Sequence, residues 1–434
     1  MTLTRRELLK RASVMAGAAA LVSACGPPGT PSVIPPSVPP PNPSLPRTIV
    51  VIIADDMRFD FRSLLRNLDS SWIDCVNAAI EVPMCGPSRA ALFKGMYSSR
   101  TGVTGNGSTY LMNDTDTIAT RIRSRGFRTV LSGKYLNDFP WTRPASYVPP
   151  GWDVWNAAGS SNFQLGSMWS SDYVFHFAAQ QVLATAATTP MFLWVGPTDP
   201  HLPADPPARY ASSPVALPAK PPSFNEADVR DKPLSRQLPL LSKSQQTAIE
   251  GDRLGIGRCL LGVNDGIGEL LGALAATGRL ASSHLFFVSD NGYLLGEHRM
   301  IKKGEPYEEP SRIPFMVRWP GVAGRTERGV ISSIDLSATV CALAGTTPPG
   351  SDGIDLAPLL YAGRPVRDAA YIEPPGGGWH ALRNANHKYV EYGDGSRELY
   401  DLVADPFEMS NLAKVPAQQA TMAALSSRLA ALKP

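Results

Sequence analysis

Residues 47–58 read RTIVVIIADDMR. Ile49 to Ile53 is an unbroken β-branched run, so neither face of that strand is suited to water, and such a run fits a parallel sheet covered on both sides. Asp55 and Asp56 fall at its carboxyl end. Three further segments repeat the plan. HLFFVSDNGYLLGEHRM (284–300) gives a strand over 284–289 with Asp290 and Asn291 at its end. PMFLWVGPTDPHLP (190–203) gives a strand followed by Asp199 and His201, and FRTVLSGKYLN (127–137) a shorter one that delivers Lys134 to the same relative place.

Helices are expected between these strands, over Asp114–Ser124 and Leu260–Thr277. Strands alternating with helices predict an α/β fold, a doubly wound, mostly parallel sheet flanked by helices, spanning 47–345. In that architecture ligands bind beyond the carboxyl ends of the strands, where the polar residues named above converge. From about Ile331 onward, the Gly/Pro-rich TTPPGSDG, the strand-like HKYVEY and a helix near Ala417–Leu432 predict a smaller C-terminal α+β subdomain over 346–434. It is expected to shape one wall of the cleft.

Upstream of Arg47 the chain is of a different kind. TRRELLKRASVMAGAAALVSAC (4–25) carries Arg5-Arg6, a modest apolar run and small residues before Cys25, which reads as a twin-arginine signal peptide over 1–24 with a lipid acceptor at Cys25. Residues 25–46, rich in proline, are expected to be an extended tether. The expected product is a membrane-anchored lipoprotein of the cell envelope, exported by the twin-arginine route. The full chain of 434 residues has a formal net charge of +3, and residues 1–24 hold that surplus, so a basic field for nucleic acid has no support in the mature part. The other cysteines, Cys75, Cys85, Cys259 and Cys341, have no CxxC spacing and predict no disulfide framework.

At the strand ends, Asp55, Asp56, Asp290 and Asn291 offer only hard oxygen ligands, which favours calcium or magnesium. Three carboxylates in one cleft repel one another and an anionic substrate; a divalent cation with Arg89, Lys134 and Lys303 would offset that repulsion. Such a site suits an anionic ester.

Cys85 lies in VPMCGPSRAALFKG (82–95), whose Cys-Gly-Pro-Ser-Arg resembles the C-x-P-S-R signature of the type I sulfatases of the alkaline-phosphatase-like superfamily. ADDM and SDNG resemble that family's two metal motifs, GKYLN its substrate-lysine motif, TDPHLP its histidine loop and KKGEPYEEPSRIPFMVRWPG its distal lysine segment. The likeness continues through SSIDLSATVCALAG, SDGIDLAPLL and ELYDLVADPFEMSNLA, from about Arg47 to about residue 413.

The resemblance implies a sulfuric ester hydrolase. In that family a separate formylglycine-generating enzyme oxidises the cysteine to 3-oxoalanine (formylglycine), whose hydrate is the nucleophile. A thiolate attacking sulfur would leave a sulfur–sulfur bond with no easy exit, whereas a hydrate keeps a second hydroxyl whose proton loss expels sulfate. By resemblance, Asp55, Asp56, Asp290, Asn291 and the modified Cys85 hold the metal, calcium first and magnesium as the alternative. Arg89 steadies the hydrate, Lys134 and Lys303 neutralise sulfate oxygens, and His201 protonates the leaving oxygen or contacts its sulfate. Lys303 is preferred to Lys302 for its spacing to Tyr307-Glu308, and His298 resembles a position near the site.

One departure is the family's K-x-H: here Leu136 stands second after Lys134, followed by Asn137. KYLN and PPGWDVW (149–155) resemble the N-acetylglucosamine-6-sulfatase branch, implying a sulfated sugar such as a glucosamine 6-sulfate, with Trp152, Trp155 and Trp169 as candidate stacking surfaces. A phosphonate-monoester or phosphodiester hydrolase of the same superfamily is the alternative, and a non-catalytic glycan-binding lipoprotein ranks last because the cysteine, arginine and metal carboxylates are all retained.

Overall fold

The computed structural model describes residues 48–158 and 170–434. The twin-arginine segment, Cys25, the proline-rich tether and Trp169 lie outside the described residues. The main sheet is built from β1 (Thr48–Ala54), β2 (Ile73–Cys75), β3 (Arg128–Lys134), β4 (Val154–Ala158), β5 (Met191–Gly196), β6 (Ser283–Ser289), β7 (Phe315–Arg318) and β8 (Arg325–Glu327). Their order is β8-β2-β7-β6-β1-β5-β3-β4, and only β7 runs against its neighbours.

Every residue of β1 is buried, and alternate side chains enter two cores. Ile49, Val51 and Ile53 face one, Val50 and Ile52 the other. Each of these side chains contributes roughly 1.5–3 kcal/mol by leaving water. The longer helices are α1 (Cys85–Lys94), α2 (Ser171–Ala184), α3 (Lys243–Ala276), α4 (Asp335–Leu343) and α5 (Gln419–Leu432). Leu92 and Phe93 of α1 join Leu336 and Val340 of α4 in the first core; Val174 and Phe175 of α2 join Leu260 and Val263 of α3 in the second. Helices thus cover both faces, as a doubly wound sheet requires.

Two helices differ from the sequence reading. The one expected over 114–124 is confined to Ile118–Arg123, because Thr117 caps it. The one expected from Leu260 begins at Lys243, where Ser242 and Gln245 form a reciprocal capping box. α3 is long and apolar enough to cross a membrane by composition, yet half of that stretch is buried inside the fold. Its glycines permit close packing: a Cβ on Gly266 would sit 2.2 Å from the Phe175 ring.

At the carboxyl end of β3, Gly133 has φ +101°, and a Cβ there would lie 2.0 Å from the Gly196 carbonyl oxygen. Only glycine lets β3 and β5 converge at that point while presenting Lys134 to the cleft.

The C-terminal subdomain is an antiparallel meander of β9 (Ala369–Ile372), β10 (Trp379–Asn384), β11 (His387–Tyr392) and β12 (Arg397–Asp401), with α5 packed on one face. Glu308, just after the Lys303 segment, fastens it to the main body. Arg383 of β10 meets both Glu308 oxygens at 2.9 and 3.0 Å, and Lys388 of β11 lies 2.8 Å from Glu308 Oε1. The Gly376 N–H also donates to the Thr104 carbonyl at 2.9 Å.

Candidate active site

Four parallel strands end at one place. β1 and β6 are hydrogen-bonded in register from Thr48 opposite Ser283 to Ala54 opposite Ser289, so Asp55-Asp56 and Asp290-Asn291 emerge side by side. The Asp290 N–H donates to the Ala54 carbonyl at 3.1 Å, and the Asp56 N–H to Asp290 Oδ1 at 3.1 Å. Asp56 has φ +61°, a left-handed conformation that aspartate tolerates better than most residues. β3 contributes Lys134 as its last residue, and the loop after β5 contributes His201.

Cys85 is the first residue of α1 and is 1% exposed. Its Sγ lies 3.4 Å from Asn106 Oδ1 and 3.5 Å from Lys303 Nζ. Asn106 Oδ1 also accepts the Gly86 N–H at 2.9 Å, so it orients the helix start that carries the cysteine. Gly86 has no spare room: a Cβ would come within 2.8 Å of Thr109 and 2.9 Å of Asn106. The sequence reading missed Asn106, because its role depends on a distant loop folding back onto Gly86.

The cations are interleaved with the acids. Lys134 Nζ meets Asp55 Oδ2 at 2.5 Å, Lys303 Nζ meets Asp56 Oδ1 at 2.5 Å, and Arg89 Nε meets Asp290 Oδ2 at 2.7 Å. Arg89 Nη1 also donates to the Lys134 carbonyl at 3.0 Å. Burial alone would raise the Asp55 pKa, but Lys134, His201 and Arg89 outweigh it and hold the carboxyl below its usual range. Conversely, burial works against the charge on Lys134, Lys303 and Arg89, and the adjoining aspartates override it, holding all three above their ordinary values. His201 Nδ1 is 2.5 Å from the Leu202 carbonyl, which can only accept, so Nδ1 carries hydrogen and Nε2 faces Asp56 Oδ2 at 3.4 Å.

Some oxygens in this group are not hydrogen-bonded. Asp55 Oδ1, Asp56 Oδ2 and Asn291 Oδ1 are sealed from solvent and have no hydrogen-bond partner. Ligand atoms of Asp55, Asp56 and His201 lie within 4.8 Å of one another. Buried acceptors without donors cost free energy, and the donor set of hard oxygens fits a divalent cation of the calcium or magnesium class. Both Asp290 oxygens are already engaged, by Arg89 and the Asp56 N–H. Asn291 Nδ2 donates to Asp56 Oδ1 at 2.6 Å, which turns its Oδ1 toward the seat.

Comparison with known proteins matches this arrangement to one family. The sulfatase family model covers residues 47–346, well over half of the chain. The chain belongs to the sulfatase family. A second model, N-sulphoglucosamine sulphohydrolase, C-terminal, covers residues 296–434 of the sulfatase. The chain is 27% identical to the Drosophila melanogaster extracellular sulfatase SULF-1 homolog over 74% of its own length, and 26% identical to a Caenorhabditis elegans Sulf-1 homolog over 79%. It spans only 32% and 54% of those two relatives. It is also 27% identical to human N-acetylglucosamine-6-sulfatase, over 78% of this chain and 74% of the human one. Among solved structures, the enzyme complexed with its substrate D-glucosamine-2-N,6-O-disulfate shares the fold at TM-score 0.73 and 20% identity, over 89% of this chain and 97% of that one. Phosphonate monoester hydrolase of Agrobacterium radiobacter shares it at TM-score 0.68 and 20% identity, over 89% and 95%. The alkaline-phosphatase-like α/β fold expected from the sequence is therefore the fold of this sulfatase.

The structure thus brings together Asp55, Asp56, Cys85, Arg89, Lys134, His201, Asp290, Asn291 and Lys303. Lys302 lies outside the group, exposed, with its Nζ 2.6 Å from Glu305. His298 is held elsewhere, fully buried beside Glu226. Asp199 serves α2: its Oδ2 accepts the Ser171 N–H and hydroxyl. Trp152 is buried in the aromatic core against Phe93 and Phe192 and is not a sugar platform, whereas Trp155 is half-buried beside Tyr135 and Phe139. Leu136, where the family's histidine is missing, is buried in that core, and the Asn137 backbone carbonyl accepts the Thr109 hydroxyl at 2.6 Å.

Proposed function

We propose that this sulfatase hydrolyses O-sulfate esters of sulfated amino sugars, with a 6-sulfated glucosamine as the substrate to try first. The observation that carries the proposal is the meeting, in one buried cleft, of three hard oxygens that accept no hydrogen bond with Lys134, Lys303 and Arg89 around Cys85. In this reading Cys85 is the residue converted to formylglycine, and Asp55, Asp56, Asp290 and Asn291 hold calcium or magnesium. A bound cation would withdraw charge from a sulfuryl oxygen.

The remaining work falls to this chain's side chains. Lys134 and Lys303 meet the other sulfate oxygens, and both stay cationic at neutral pH, held so by Asp55 and Asp56. Arg89 and Asn106 fix the start of α1. His201, whose Nδ1–H is held by the Leu202 carbonyl, can give the departing sugar oxygen a proton from Nε2 once the ring has taken up a second proton there beside Asp56. The sugar preference is supported by the identity to N-acetylglucosamine-6-sulfatase over most of both chains. A twin-arginine leader with a lipid on Cys25 makes an envelope lipoprotein the matching proposal for location.

A hydrolysis panel tests this. Turnover of N-acetylglucosamine 6-sulfate should exceed that of aryl sulfates and of phosphonate monoesters or phosphodiesters. A lead for the phosphonate would replace the proposal with the phosphonate-monoester hydrolase reading. Mass spectrometry of the Cys85 peptide from active protein should show the aldehyde or its hydrate; an active enzyme with Cys85 wholly as thiol would remove the formylglycine step.

A further inference from the structure

A second group of ligand-type side chains is buried away from the strand ends and shares no residue with them. His298 is fully buried, and its Nδ1 lies 2.7 Å from Glu226 Oε2. Glu226 also accepts Lys232 Nζ on its Oε1 at 3.2 Å, so the carboxylate acts as the acceptor, and that contact puts hydrogen on Nδ1 and leaves the lone pair on Nε2. Ligand atoms of His298, Glu309 and Glu408 lie within 4.8 Å of one another. His298 Nε2, Glu309 Oε2 and Glu408 Oε1 are each sealed from solvent without a hydrogen-bond partner.

The neighbouring donors are largely committed. Glu408 Oε2 accepts the Glu308 N–H at 2.7 Å, and Lys388 Nζ, 3.2 Å from Glu408 Oε1, is shared with Glu308 at 2.8 Å. Glu309 Oε1 meets only the Ser223 hydroxyl, at 3.5 Å. Three acceptors face one another with a single donor at their edge, the Lys388 ammonium that Glu408 Oε1 shares with Glu308, so His298 Nε2 and Glu309 Oε2 repel their neighbours and burial deepens the cost.

We propose that His298, Glu309 and Glu408 form a second metal site, for a first-row divalent cation of the zinc or manganese type. An imidazole nitrogen with two carboxylates suits those ions, and here, unlike at the strand ends where Asp290 and Asn291 add further oxygens beside Asp55, Asp56 and His201, the carboxylates of Glu309 and Glu408 and the imidazole are the whole set among the described residues. Glu226 is the outer carboxylate that fixes the tautomer and orientation of a metal-binding histidine. The ion would tie the C-terminal turn at Glu408 to the segment that follows Lys303, so it would act as a staple between the subdomain and the catalytic layer. The rival occupant is a proton: burial holds Glu309 well above the ordinary carboxylate range and raises Glu408 as well.

The test uses the full-length protein, produced with zinc and manganese in the medium and dialysed without chelator. Elemental analysis should find about one equivalent of zinc or manganese per chain, independent of calcium. That metal should remain in the Asp55→Asn/Asp290→Asn double variant and fall at least tenfold in Glu309→Gln and His298→Gln, and its removal should lower the thermal midpoint of the wild type. Glu309 keeps part of its side chain in solvent although its Oε2 is sealed, so Glu309→Gln guards against His298→Gln failing to fold. Wild-type protein with no first-row metal above background, and a midpoint unmoved by added zinc or manganese, would overturn the proposal in favour of a shared proton. Metal lost from the double variant but kept by Glu309→Gln would overturn it too, by assigning the ion to the strand ends.

Discussion

In the Glu308 cluster both carboxylate oxygens are matched by Arg383 and Lys388, whereas at the ends of β1 and β6 three buried oxygens have no hydrogen-bond partner. Both places are dry and dense in charge. Burial alone would raise the Glu308 pKa, but Arg383 and Lys388 outweigh it and hold the group far below the usual range, as a group with a purely structural task should be. The strand ends keep acceptors in reserve for something the fold does not supply. A buried charge cluster is thus read by its leftovers: complete pairing marks a fastening, incomplete pairing a site.

The sharpest way to break this comparison is Cys85→Ala. Turnover of a sulfate ester should fall by about 10⁴-fold or more, while the thermal midpoint stays near wild type because little packing volume is lost. In the fastening the balance reverses. Glu308→Gln leaves Arg383 and Lys388 buried with a weakened partner and should cost about 3–5 kcal/mol in urea unfolding. A loss under about 1 kcal/mol there would erase the distinction.

Lys134→Ala, measured in calcium-containing buffer, should depress turnover by about 10²–10³-fold, with a smaller stability change than Glu308→Gln. The adjacent test of register, Lys302→Ala, should change turnover by no more than about twofold, since its pair with Glu305 is half-exposed and screened.

A final test concerns the buried Glu81, which burial pushes up to about 8 against the Ser333 hydroxyl bond that opposes it. Its folded state holds the proton more tightly than the unfolded chain, whose value is 4.5. Its contribution to stability is therefore intact below about pH 4.5 and declines as pH rises through about 8. Unfolding followed between about pH 5 and 8 should show the wild type losing up to a few kcal/mol, and Glu81→Gln should flatten that slope. A variant with the same slope would acquit Glu81.

The central strands were legible because burial on both faces leaves a β-branched run with polar residues at its end, as in β1 and β6. The strands on one flank of the sheet, β2, β7 and β8, are 3 or 4 residues long, too short for a period to register. The first half of α3 was missed because Gly251, Gly255 and Gly257 weaken its helical signal, though Ser242 and Gln245 carried a capping box in plain view. The strand-end ligands were legible because strands deliver them at fixed positions. Asn106 was not, since a loop brings it to Cys85 from 21 residues away. Trp152 was misassigned because the sequence shows a flat ring but not which side of it is wet.

The strand order also sets a timetable. All of α1 is buried, in part against α4, and β1 gains its β6 neighbour only once residues 283–289 exist. During synthesis Cys85 is therefore left without its final cover until roughly 250 more residues have been added, about 10–50 s at the usual pace of elongation. For that interval the motif around Cys85 is a nascent, open peptide, accessible to any modifying enzyme in the same compartment, and the closing of the sheet ends the opportunity.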